Sequence, residues 1–191
     1  TIAPRFTFHG YRYVEITGID RALPVEAVRG VVLSSVDRLT SHYETSNEKV
    51  NRLWQNIVWS IYANFLSIPT DCPQRNERLG WTADTQVFAE TGTFFANTKR
   101  FFHKWLQDMR DTQSPTGGYP GVAPFAQYGC GDQDMMRLGW ADAGIIVPWV
   151  VWKQYGDKQV VDESWASMER FMNHVAETKY DHNALRNENG N

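Results

Sequence analysis

Apolar and polar residues alternate near the N-terminus, and further along the period changes. In 5–16, RFTFHGYRYVEI, Phe6 and Phe8 and then Tyr11, Tyr13 and Val14 are set around Gly10. A two-residue period predicts a strand, with Gly10 as a candidate bulge. A second apolar run, 28–34, predicts another strand. Two strands alone are marginal in water. Residues 1–40 are therefore expected to be the C-terminal strands of a β domain whose other strands lie outside this chain.

From Thr45 the period is helical. Thr45 followed by Glu48 has the pattern of a capping box. Val50, Leu53, Trp54, Ile57, Val58, Ile61 and Phe65 then recur at spacings of three and four, the apolar stripe of an amphipathic helix. Pro69 is expected to stop it. A second helix is predicted from Thr82, with Val87, Phe88, Phe94 and Phe95 inward. A third covers 98–112, with Phe101, Phe102, Trp105, Leu106 and Met109 inward. A fourth covers 142–155, with Pro148 inside it and Gly156 at its end. A fifth covers 160–178 and carries Trp165, Met168, Phe171, Met172 and Val175. Between the third and fourth, 114–139 has no period. A loop that long is uncommon in a compact domain unless it is functional or disordered. Its aromatics, Tyr119, Phe125 and Tyr128, argue against disorder. Five antiparallel helices joined by loops of alternating length make an all-α layer of helical hairpins. Such hairpins close into a ring with the long loops gathered at one end. Five helices leave that ring incomplete, so the rest of a parent chain is expected to complete it.

Composition narrows the partners. The 191 residues carry 19 basic and 22 acidic side chains, net −3, with no basic block. Nucleic acid and anionic membranes are thereby poor candidates. No run of eighteen apolar residues occurs, and the opening TIAPRF lacks signal-peptide architecture, so the compartment stays open. The two cysteines, Cys72 and Cys130, have neither metal spacing nor a disulfide framework. His9, His42 and His182 read as surface or turn residues, while His103 and His174 sit in helices without the base and the uronate-neutralising group that a lyase site would want. No metal constellation or cofactor is expected. Aromatic residues are 14% of the chain. A large aromatic core accounts for that; so does a sugar site, where ring faces stack on sugar C–H faces.

The segment 71–84, DCPQRNERLGWTAD, stands out. It holds Asp71, Glu77 and Asp84 with Arg75, Arg78 and Trp81, and has neither helical nor strand period. Each charge has an ordinary explanation: an Asx turn at Asp71, a surface ion pair at Glu77, a helix-dipole contact at Asp84. Together they exceed what a turn requires. Arginines beside a carboxyl group hold its geometry and protonation state. Carboxylates beside an aromatic face are what a glycosidic bond and sugar hydroxyls need.

IPTDCPQRNERLGWTAD, 68–84, resembles the signature of bacterial α-L-rhamnosidases, glycoside hydrolase family 78. FHGYRYVEITG (8–18) resembles the strand that closes that family's β domain. TSNEKVNRLWQN (45–56) resembles its first barrel helix, and GWADAGIIVPWVVWKQYGD (139–157) a later W-x-D-A segment. The resemblance implies an (α/α)6 catalytic barrel after β domains, here 1–40 and 41–191, and inverting hydrolysis of terminal α-L-rhamnosyl linkages. It implies a rhamnose-containing glycoside or polysaccharide as substrate. By the same resemblance Glu77 is the general acid and Asp71 and Asp84 bind sugar hydroxyls. Arg75 is grouped with them, Trp81 and Trp140 wall the pocket, and Asp142 supports it. Asn76 departs from the pattern, where an acidic residue is more usual. The catalytic base is expected beyond Asn191, and nothing marks Asp132 or Asp134 as that base. Two rivals use the same residues: another α/α-barrel glycosidase or polysaccharide lyase, and a sugar-binding remnant without chemistry.

Overall fold

The structure, a computed structural model, describes residues 2–126 and 138–177. Tyr128, Cys130, Asp132, Asp134, His182 and the predicted helix end at Thr178 lie outside the described residues. Five helices carry the fold: α1 (Glu48–Asn64), α2 (Thr82–Phe95), α3 (Lys99–Asp111), α4 (Ala143–Tyr155) and α5 (Lys158–Glu177). α2 packs on α4, α3 packs on α5, and α4 also packs against both α3 and α5. This is the two-layered arrangement of helical hairpins, a partial barrel. Among the described residues no helix is long and apolar enough to cross a membrane.

The predicted strands at 5–16 and 28–34 do not form. That region is extended and mostly exposed, with one short 3-10 turn at Val25–Ala27. A strand needs a neighbour paired to it through the backbone, and among the described residues these segments have none. Regular pairing is limited to a small antiparallel hairpin, β1 (Phe65–Leu66) with β2 (Ile68–Pro69), which turns at Ser67 with φ 65°. Residues 34–40 run beside it. Ser35 donates its N–H to the Phe65 carbonyl, Val36 is buried, and Leu39 bridges to Ala96.

α1 begins two residues later than the capping-box pattern implied. Asn47 is the cap, accepting from the N–H groups of Lys49 and Val50. The Thr45 hydroxyl instead accepts from the Asn47 N–H and contacts the Asn51 side chain. α1 ends at Asn64, before Pro69 is reached, because the chain turns into the hairpin. Its stripe is buried only in its second half: Val58, Ile61 and Phe65 are in the core, whereas Val50 and Leu53 face outward.

α3 buries the predicted face: Phe101, Phe102, Trp105, Leu106 and Met109. Phe65 stacks on Phe101 with centroids 4.5 Å apart and meets Phe102 edge-on. The inward faces of α2 and α5 differ from expectation. α2 buries Thr82, Thr85, Ala89, Gly92 and Thr93, while Val87 and Phe94 are exposed. α5 buries Val160, Ser164, Ser167 and Phe171, while Trp165 and Met172 are exposed. Small residues win these positions because neighbouring groups come close. At Gly92 a Cβ would stand 3.2 Å from the Phe65 ring. Ser167 meets the buried hydroxyl of Tyr119 at 2.5 Å. α4 ends as expected at Gly156, in the left-handed region.

The described part of the long loop, 114–126, passes through the core. Tyr119 and Val122 are buried, and Tyr119 packs on Phe171. Burial pushes the Tyr119 phenol above its ordinary value, so it stays a neutral hydroxyl. α3 and α5 are further tied by charge. His103 Nε2 lies 2.5 Å from Asp157 Oδ2, and Lys99 Nζ lies 3.1 Å from the same oxygen. Glu163 is within 3.7 Å of His103 Nδ1 and 3.6 Å of Arg110. His103 is thus a member of a structural charge cluster between α3 and α5.

Candidate active site

The charged segment joins β2 to α2 and is folded on itself by its first aspartate. Asp71 N–H donates to the Leu79 carbonyl, and Leu79 N–H donates to Asp71 Oδ1 at 3.0 Å. This closes residues 71–79 into a loop, with Arg78 in the left-handed region at φ 56°. After the loop, Gly80 and Trp81 run against 121–123. Ala123 N–H donates to the Gly80 carbonyl, Thr82 N–H donates to the Gly121 carbonyl, and Trp81 bridges to Val122. A Cβ on Gly80 would lie 2.3 Å from the Ala123 oxygen; only glycine permits this approach. The buried Trp105 indole donates to that same oxygen at 2.9 Å.

Glu77 is half-buried and held at both oxygens. Trp81 Nε1 donates to Oε1 at 3.0 Å, and Arg75 Nη2 lies 2.6 Å from Oε2. Arg75 Nε donates to Cys72 Sγ at 3.0 Å, and that thiol donates to Asp71 Oδ2 at 2.9 Å. A continuous set of contacts thus runs from Trp81 through Glu77, Arg75 and Cys72 to Asp71. Cys72 is only 7% exposed. Burial first, and then the Asp71 carboxylate, push its thiol above the ordinary value, so it stays protonated and able to donate.

Asp71 also faces outward. With Asp84 it lines a groove of about 500 Å³, together with Ser60, Asn64, Thr85 and Phe88. The groove offers carboxylates, hydroxyls, an amide and an aromatic wall, a donor and acceptor set suited to a polyol. Asp84 is exposed in the first turn of α2. Trp140 is brought to the same end of the fold. Gly121 stands between it and Trp81, since a Cβ there would lie 3.8 Å from Trp140 and 3.7 Å from Trp81. Asp142 does something different: its Oδ2 accepts the N–H of Gly139 at 2.8 Å, closing the turn that starts α4. Arg78 leaves the carboxylates and lies over the Phe8 ring, 4.3 Å from its centroid.

Two of these residues carried no chemical reading in the sequence, Cys72 and Gly121. The DCP context pointed to a turn, and Gly121 lay in a loop read only as lacking a period. Asp71, Cys72 and Glu77 offer ligand atoms within 4.8 Å of one another. The Arg75 guanidinium already occupies that space as the counter-charge, which opposes a second cation there.

Two layers of paired helices, with the motif loop and both tryptophans at one end, define the class as a partial helical-hairpin barrel. The family follows from comparison with known proteins. Residues 38–190 match the bacterial alpha-L-rhamnosidase 6 hairpin glycosidase domain, and residues 1–34 match the bacterial alpha-L-rhamnosidase concanavalin-like domain. The chain belongs to the bacterial α-L-rhamnosidase six-hairpin glycosidase family. An alpha-L-rhamnosidase of Streptomyces avermitilis is 42% identical over 92% of this chain, and one of Formosa agariphila is 39% identical over 93%. The chain spans 17% and 19% of those two relatives. Among solved structures, the S. avermitilis alpha-L-rhamnosidase complexed with L-rhamnose superposes with a TM-score of 0.70 at 38% identity. That match covers 76% of this chain and 14% of that one. The alpha-L-rhamnosidase from Aspergillus terreus superposes with a TM-score of 0.67 at 38% identity, over 73% of this chain and 16% of that one.

Proposed function

We propose that this chain is the N-terminal portion of the catalytic barrel of an inverting α-L-rhamnosidase, preceded over 1–40 by the end of a β domain. The substrate is a rhamnose-containing glycoside or polysaccharide. Asp71 and Asp84, on the groove, accept hydrogen bonds from the sugar hydroxyls. Trp81 and Trp140 face the apolar side of the 6-deoxy sugar. Glu77 gives its proton to the glycosidic oxygen, and Arg75 fixes the direction of that carboxyl group. Asp142 acts through the turn it closes at the start of α4, which sets the place of Trp140. Inversion requires a second carboxyl group, roughly 6.5–9.5 Å from the acid, to activate water on the opposite face. That base comes from further polypeptide completing the barrel.

The observation that carries this reading is Glu77, fixed by Trp81 and Arg75 and linked through Cys72 to a carboxylate on the groove. The names of the relatives support the substrate class. The test is proton NMR of aryl α-L-rhamnoside hydrolysis by the full-length enzyme bearing this segment. Rhamnose released first as the β anomer is expected. Release first as the α anomer would replace inversion with retention. Turnover of uronate polymers in place of rhamnosides would favour a lyase, and rhamnose binding without turnover a sugar-binding remnant.

A further inference from the structure

Cys72 is placed where an ordinary core cysteine has no reason to be. Its sulfur lies 2.9 Å from Asp71 Oδ2, 3.0 Å from Arg75 Nε and 3.5 Å from Glu77 Oε2. It is buried, while Arg75 is largely exposed and Glu77 partly so. Asp71 and Glu77 are six residues apart in the chain, and the thiol touches both. A protonated thiol has one hydrogen to give and lone pairs to receive. Here the hydrogen goes to the nearer carboxylate, Asp71, and the lone pair takes the Arg75 N–H. Arg75 then reaches Glu77 Oε2 with Nη2 at 2.6 Å.

We propose that Cys72 is a positioning residue for the reaction: its thiol sets the orientation of the hydroxyl-binding carboxylate Asp71 and of the guanidinium that holds the acid Glu77, so sugar binding and proton delivery share one joint. The proposal rests on the rhamnosidase reading above. An aliphatic side chain of similar size would fill the same volume, but it would leave Asp71 Oδ2 without this donor and Arg75 Nε without this acceptor. Arg75, long and exposed, would then sample several rotamers, and the direction of Glu77 would loosen with it. Serine would restore one donor and one acceptor at nearly the same place, with a shorter reach.

The test compares Cys72→Ala, Cys72→Ser and the unchanged residue in the full-length enzyme, with Glu77→Gln alongside. The readouts are kcat, KM and the pH profile of kcat/KM on an aryl α-L-rhamnoside, and L-rhamnose affinity by calorimetry. Cys72→Ala is expected to lower kcat/KM by about ten- to a hundredfold, the scale of a lost hydrogen bond to a charged group. It is also expected to raise KM, weaken rhamnose binding and displace the limb of the pH profile that reports the acid. Cys72→Ser is expected to recover most of the loss, including the pH limb. Equal losses in Ala and Ser with an unmoved pH profile would reduce Cys72 to packing and overturn the proposal. Full activity in Cys72→Ala would overturn it as well. If Cys72→Ala fails to fold, the serine variant alone decides: near-native kinetics with an unmoved pH limb support the joint, and a deep loss sinks it. Glu77→Gln separates the two layers, because full activity there would defeat the rhamnosidase assignment of the acid rather than the role of Cys72.

Discussion

Close approaches in this fold are made by single residues with little or no side chain. A Cβ on Gly144 would lie 2.1 Å from Tyr119 Cε2, so α4 passes the buried ring only because residue 144 is glycine. Gly144→Ala is expected to cost about 1–3 kcal/mol by overpacking, read as a lower denaturation midpoint at unchanged slope. A fall below about 0.5 kcal/mol would mean that the ring moves aside freely. Trp81→Phe keeps the aromatic face and removes the donor to Glu77 Oε1. It is expected to reduce kcat about tenfold or more with a smaller change in KM. An equal change in both would make the indole N–H a binding group instead. The candidate residues of 71–84 stand out at this scale because charge and tryptophan crowd into one short segment. The partnerships do not. Nothing in the linear order distinguishes Arg75, which grips Glu77, from Arg78, which lies over Phe8.

Helices were legible where their buried face is made of large apolar side chains. α3 is the clear case. α2 and α5 pack with threonine, serine, alanine and glycine inward, whereas apolar periodicity weights the large residues Val87, Phe94, Trp165 and Met172, which are exposed. The joints between helices were hidden in the same way. Asp157 precedes α5, where its Oδ1 accepts from Gln159 N–H, and His103 and Lys99 reach its other oxygen from α3. The His103 contact first, and Lys99 after it, hold the Asp157 carboxyl below its ordinary value. A folded-state value below the unfolded one stabilises the protein at pH above the unfolded carboxyl value, about 3.9. That contribution fades as pH falls through the lower folded value. The melting temperature is therefore expected to drop on acidification below about pH 4, and Asp157→Asn should flatten that drop while lowering the melting temperature at neutral pH. An identical acid limb in the variant would remove Asp157 from the account.

Among the described residues, one side of the molecule is closely packed and another is open. The core joins α2, α3, α4, α5, the 114–126 loop and Ile61 and Phe65 at the end of α1. Across the first half of α1, however, Val50, Leu53 and Trp54 with Phe94 and Phe95 line an open apolar groove of about 410 Å³. Leu53 is 58% exposed and Phe94 57%. In a ring of hairpins each helix stripe needs a neighbour on both sides. The succession of helices was readable from period alone, and the odd number of helices pointed to an incomplete ring. Which stripe would stay open, and that 5–16 and 28–34 would not pair, were not readable, because the partners of a stripe or a strand are non-local. Under the proposed roles, the chain alone is expected to show no turnover of an aryl α-L-rhamnoside, because the proposed acid Glu77 would act without the proposed base. Measurable turnover by the purified chain would place both groups within these 191 residues. The most direct test of the central claim is Glu77→Gln in the full-length enzyme, assayed on a natural rhamnoside whose leaving group needs a proton. Loss of hydrolysis on the order of 10²–10⁴-fold, the scale of general acid catalysis, with L-rhamnose binding retained, is the predicted result; hydrolysis at the unmodified rate would show that Glu77 is not the acid.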